Sequence, residues 1–179
     1  MKRVLQLVAG VGLSLSVLGS APPPRMATVP DDEAILNRFD DLVGADIACA
    51  QLAAERGHSA EVKAFARTLV SEHGLARQLA RDVASMMNVT LRPSSDSPRR
   101  AEHERTIKAL RERPDIAFDV LFVRHVVEYH KDLVNLINKE WMPAAKHADL
   151  IALLVQVGPA FDGHRTMAEA LWQKLVPNR

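Results

Sequence analysis

Cysteine occurs once in this chain, at Cys49, so no disulfide can form within it. Aromatic residues make up only 4% of the sequence, too few to build the large-ring core typical of many sheet proteins. No block of one charge sign occurs: 23 Lys and Arg are interleaved with 22 Asp and Glu, for a formal net charge of +1. This pattern lacks the basic stripe that nucleic acid recognition requires. Beyond the first 21 residues, no apolar run approaches the roughly 20 residues needed to span a bilayer. What remains is an alanine- and leucine-rich chain, 47% hydrophobic and 25% charged, long enough for one domain of closely packed helices.

The N-terminal segment reads differently from the rest. Lys2 and Arg3 precede an uncharged apolar stretch from Val4 to Leu18, followed by Gly19-Ser20-Ala21, the layout of a secretory signal peptide over residues 1–21. Its removal takes the formal charge from +1 to −1 and leaves a mature chain with no transmembrane span. Residues 22–30 hold four of the chain's ten prolines and no periodicity, which reads as a disordered linker. The folded domain is expected over 31–176, in a periplasmic or otherwise exported location.

Four long amphipathic helices follow from the 3.6-residue spacing of apolar positions. The first is expected over 31–56, opened by Asp31, Asp32 and Glu33 and stopped at Gly57. The second covers 60–87, with Ser59 as N-cap and Asn88 in the left-handed position that ends it. A charged short helix, Pro98 to Arg113, then stands in a long connection before Pro114, and Asp115 offers the cap of a third long helix over 116–140. The fourth covers 148–175 with Pro159 inside it, where a kink is expected. Short turns within each pair and one long crossover between pairs describe an all-α, ferritin-like antiparallel four-helix bundle.

Each long helix carries one polar residue on its apolar stripe near its middle: Asp46, His73, His130 and His164. Two of them end a repeated pattern, since Leu69-Val70-Ser71-Glu72-His73 returns fifty-seven residues later as Val126-Val127-Glu128-Tyr129-His130. Antiparallel helices of similar length bring their midpoints into one layer, so these four side chains are expected to meet. Three imidazoles and a carboxylate form a ligand set for one divalent transition ion: zinc, copper, iron or manganese. A metal-free polar core, with Asp46 bonded to histidines and water, satisfies the same four groups. The Glu-x-x-His pairs of carboxylate-bridged di-iron sites are absent at His73 and His130, which argues against ferroxidase chemistry. His58, His103 and His147 read as solvated, His125 as facing away from His130, Cys49 as a small buried hydrophobe, and Met86 and Met87 as core filler at a helix end.

Glu61-Val62-Lys63-Ala64-Phe65-Ala66 running into Leu69 to His73, the second motif ending in His130, and Pro159 five residues before His164 together resemble the bacterial exported family catalogued as domain of unknown function 4142. The resemblance covers residues 31–173 and implies a ferritin-like fold and an envelope location, labelled there as outer membrane. A helical chain without alternating strands is not a β-barrel. The family pattern singles out Asp46, where glutamate is usual, with His73, His130, Pro159 and His164. This chain departs from it at Ala48, Tyr129 and Gly163, where acids are common, which weakens any carboxylate-rich site. No reaction is implied and no catalytic residue is assigned. The expected function is an exported helical domain holding one divalent metal in the Asp/His layer. The alternatives are an envelope protein with a metal-free core and a partner surface on the short helix, or a metal-dependent oxidase or peroxide-handling enzyme.

Overall fold

The computed structural model describes residues 30–92 and 98–177; the proposed signal segment and residues 22–29 of the linker lie outside the described residues. The elements are α1 (Asp32–Arg56), α2 (Ala60–Met86), α3 (Pro98–Arg111), α4 (Asp115–Leu136) with a π-helical turn at Ile137–Trp141, the single-turn α5 (Met142–Ala144) and α6 (Ala148–Leu175). No strand occurs among the described residues, so the all-α expectation holds.

The helix ends follow local chemistry. The Asp31 carboxylate accepts from Ala34 N at 2.8 Å and the Ser59 hydroxyl from Val62 N at 3.1 Å, satisfying amides that a helix start leaves open. Asn88 takes a φ of 55° after α2, as its short polar side chain allows. The expectation for Asp115 is corrected. Pro114 occupies the cap position without a side-chain bond, and Asp115 is the first residue of α4, at a φ of 44°. The third long helix also does not run unbroken to 140. It widens into the π turn at Ile137–Trp141, which lies near the α6 segment around Pro159, with Ile137 within ordinary contact of a Cβ placed on Gly158.

Two aspartates tie the turns to distant helices. Asp119 of α4 accepts from the backbone N–H groups of His58 and Ser59 at 2.7 and 2.8 Å, fixing the α1–α2 turn. Asp32 of α1 accepts from Lys146 and His147 N–H at 2.9 and 3.0 Å, fixing the approach to α6.

The apolar core divides into two clusters. One gathers Ile35 to Val43 of α1, Ala76 to Ala84 of α2, Leu133 to Trp141 after the middle of α4, and Leu150 to Phe161 of α6. The other takes Cys49 to Ala53, Val62 to Leu69, Leu110, Phe118 to Val126, and Ala168. Along each long helix, the chain passes from one cluster to the other across a single buried polar residue: Asp46, His73, His130 or His164. The order of passage is opposite in α1 and α2 and again in α4 and α6. α2 and α4 run the same way, so the segment carrying α3 must return along the length of the molecule.

Candidate functional site

The boundary between the two clusters is polar because four helices place one hydrophilic side chain there, each almost completely buried: Asp46 at 1% exposure, His73 and His130 at 0%, His164 at 3%. The three imidazoles converge. His73 Nε2 stands 3.0 Å from His164 Nδ1 and 3.3 Å from His130 Nε2, and one nitrogen from each ring falls within 4.8 Å of the other two. Phe161, one turn before His164, packs its ring at 5.1 Å from His73 and 5.9 Å from His130.

The outward nitrogens determine what the inward ones carry. His130 Nδ1 lies 3.1 Å from the Val126 carbonyl, which can only accept, so this nitrogen holds the proton. His164 Nε2 lies 2.7 Å from Glu72 Oε2, and His73 Nδ1 lies 2.8 Å from Asp46 Oδ2, so both of these nitrogens face carboxylates and carry protons as well. In neutral imidazoles the three inward nitrogens are then bare lone pairs, pointed at one another. Asp46 also approaches His130 Nε2, at 3.7 Å. The Asp46–His73 contact is short but poorly directed, since neither Asp46 oxygen nor His73 Nδ1 makes an aligned hydrogen bond.

Burial sets the charge states. It pushes His130 down to about 4, helped by the neighbouring histidines and opposed by Asp46. His164 is also lowered, chiefly by burial, with Glu72 pulling the other way. Burial alone would raise Asp46, but its electrostatic interactions with the His73 and His130 rings and the hydrogen-bonding contact with His73 outweigh it, and the carboxyl is held below its usual range. A carboxylate buried beside bare imidazole nitrogens is complementary to a cation.

The four residues expected on one layer therefore do meet, but not as equals: Asp46 touches the far nitrogen of His73, while three histidines face a common point. Glu72 belongs to the site and was not singled out in the sequence. Its signal was adjacency to His73, yet it reaches across to α6, with its side chain 51% exposed. His103, expected on the surface, is only 3% exposed. Burial comes from the packing of α3 against α1, which a charged helix does not announce. His58 and Cys49 sit as expected, exposed and buried respectively. A groove of about 710 Å³ lies elsewhere, between α1, α2 and the α3 segment, where Asp40 binds Arg77 and Arg81. It is not the space that the histidine nitrogens face.

No helix among the described residues is long and apolar enough to cross a membrane. No curated protein and no solved structure matches the chain. A family model described as a domain of unknown function (DUF4142) matches residues 17–171, most of the sequence, and the chain belongs to that family.

Proposed function

We propose that this chain is an exported, periplasmic domain of ferritin-like architecture that holds one divalent transition ion on His73, His130 and His164. The observation that carries this reading is the convergence of three lone pairs whose opposite nitrogens are each turned toward an acceptor. Metal-binding histidines characteristically donate their remaining N–H to a carboxylate or carbonyl, which fixes the ring and strengthens the ligand. Asp46, Val126 and Glu72 supply those acceptors here. In a tetrahedral site with metal–nitrogen bonds of about 2.0 to 2.1 Å, ligand nitrogens stand about 3.3 Å apart. The two short separations, 3.0 and 3.3 Å, are close to that value.

Three protein nitrogens leave one position of a tetrahedron for water or for a further ligand. Asp46, expected from sequence as a fourth ligand, is assigned instead to orienting His73 and offsetting the charge of the ion. An ion-holding role needs nothing more. An oxidase or peroxide-handling role would use the open position. Export rests on Lys2, Arg3 and the apolar stretch behind them, and an envelope partner would find its surface on the charged α3.

The same three nitrogens can instead share a proton, which gives the structural, metal-free reading. Elemental analysis separates the two. The chain purified without chelator should carry about one transition ion more per chain than a His73→Ala/His130→Ala variant. Equal metal content in the two, even after soaking with zinc, copper, iron and manganese in turn, would overturn the proposal and leave a proton-bridged polar core.

A further inference from the structure

A second buried group lies on α1, α3 and α4. Cys49 is fully buried, His103 is 3% exposed, and His125 is partly buried, with one ligand atom from each within 4.8 Å of the other two. Both ring nitrogens of His103 and Nε2 of His125 are enclosed without an aligned hydrogen bond, although the Ala45 backbone lies close to His103. The two imidazoles pack at 5.3 Å and share Tyr129 as a neighbour, at 5.7 Å from His103 and 5.4 Å from His125. Tyr129 is itself engaged elsewhere, since its hydroxyl donates to the Leu42 carbonyl at 2.8 Å. Buried imidazole nitrogens normally find partners. Beside this pair is a cavity of about 30 Å³, bordered by His103, His125 and Tyr129.

We propose that Cys49, His103 and His125 form a second metal site, selective for a thiophilic ion of the copper or zinc class. One thiolate and two imidazoles suit these ions, while carboxylate- and water-preferring cations such as magnesium or calcium gain nothing from sulfur. A tetrahedral ion would bring sulfur and nitrogen to about 3.5 Å from one another, so from separations within 4.8 Å closing the group asks each atom to move by at most about an ångström. His103 also lines the wide groove, which gives an ion a route from solvent. On binding, the Cys49 S–H bond breaks, the sulfur–metal bond forms from its electron pair, and the proton leaves to solvent; both histidines bind neutral. Burial, with the Asp46 charge close by, pushes the Cys49 thiol up, so the metal must displace this proton and binding strengthens as pH rises. An ion here would pin the crossover helix α3 to α1 and α4.

The site shares no ligand with the His73, His130 and His164 group, so either can fail without the other. Cobalt(II) titration of the full chain reads it directly, because Cys49 is the sole source of a thiolate-to-cobalt charge-transfer band. Saturating cobalt should produce the band in the parent chain, one equivalent should suffice in His73→Ala/His130→Ala, and zinc should abolish it by displacement. Cys49→Ser should remove the band while keeping the helical circular dichroism of the parent. His103→Ala and His125→Ala should each weaken cobalt affinity at least tenfold. A parent chain with no sulfur band at saturating cobalt would overturn the proposal, whatever the histidine group binds. Unchanged affinity in both histidine variants would overturn it as well.

Discussion

The two buried histidine groups differ in how their outward nitrogens are treated. In the His73, His130 and His164 group, each outward nitrogen meets an acceptor: Asp46, the Val126 carbonyl, or Glu72. In the Cys49, His103 and His125 group, the buried ring nitrogens have no aligned partner, and the rings lean on Tyr129 instead. In the first group, hydrogen bonds fix the outward nitrogens of His130 and His164 and a short but unaligned contact with Asp46 holds His73, so most of its ligand directions are set before an ion arrives. The second has its donors close together but not oriented, so its ion would do more of the ordering. Pre-oriented ligands lose less freedom on binding, which predicts tighter and more geometry-selective binding at the first group than at the second.

Phe161→Ala should give the largest effect and break the two groups apart. Phe161 is 1% exposed, belongs to the larger core cluster, and packs against the His73, His130 and His164 rings. Its loss leaves a cavity beside those rings and should cost about 3 to 5 kcal/mol in denaturant unfolding. Metal occupancy of the first group should fall with it, while the cobalt–sulfur band of the second stays. Equal loss at both would mean that the two groups respond to the fold as a whole rather than to their own surroundings.

That contrast also separates what the sequence carried from what it did not. Asp46, His73, His130 and His164 were legible because a polar residue on an otherwise apolar helical stripe has few explanations, and four at matching depth must meet when the helices pack antiparallel. The repeated motif ending in His73 and His130 strengthened that inference. Glu72 was not legible, because its role depends on which residue of α6 it faces, and no periodicity in α2 encodes that. His103 was misread for a related reason. Its helix is so charged that a solvated residue was the natural expectation, although His103, Ile107 and Leu110 have the i, i+4, i+7 spacing of a buried face. The π turn at Ile137–Trp141 left no sequence signature, since one extra residue per turn is a response to packing.

Acid should sharpen the comparison next. Burial holds both His130 and His125 down to about 4, against an ordinary histidine value of about 6.5. Between those limits the unfolded chain takes up protons that the folded chain refuses, so stability rises with pH across the window. In the chelated protein it should be complete above about 6.5 and fall as pH drops toward 4, by on the order of 3 kcal/mol for His130 and less for the partly exposed His125. Urea unfolding at stepped pH values would measure this. His130→Gln should flatten the dependence more than His125→Gln. The reverse order would show that the second group is the more strongly desolvated of the two.

The smallest effects concern the carboxylates behind the first group. Asp46 is fully enclosed, whereas the Glu72 side chain is 51% exposed, so the same loss of charge should matter unequally. Asp46→Asn should weaken metal binding by about 10- to 100-fold, the range seen when the groups that orient metal-binding histidines are lost. Glu72→Gln keeps an oxygen that accepts from His164 Nε2–H and removes only a charge that solvent already screens. Its effect should stay below about tenfold and shrink further with added salt. Isothermal titration of zinc into both variants, at low and high salt, reads the difference. A Glu72→Gln loss as large as that of Asp46→Asn, and insensitive to salt, would mean that Glu72 turns inward and binds the ion itself. The site would then be carboxylate-bearing on its solvent side, and the open position assigned to water would be filled by the protein.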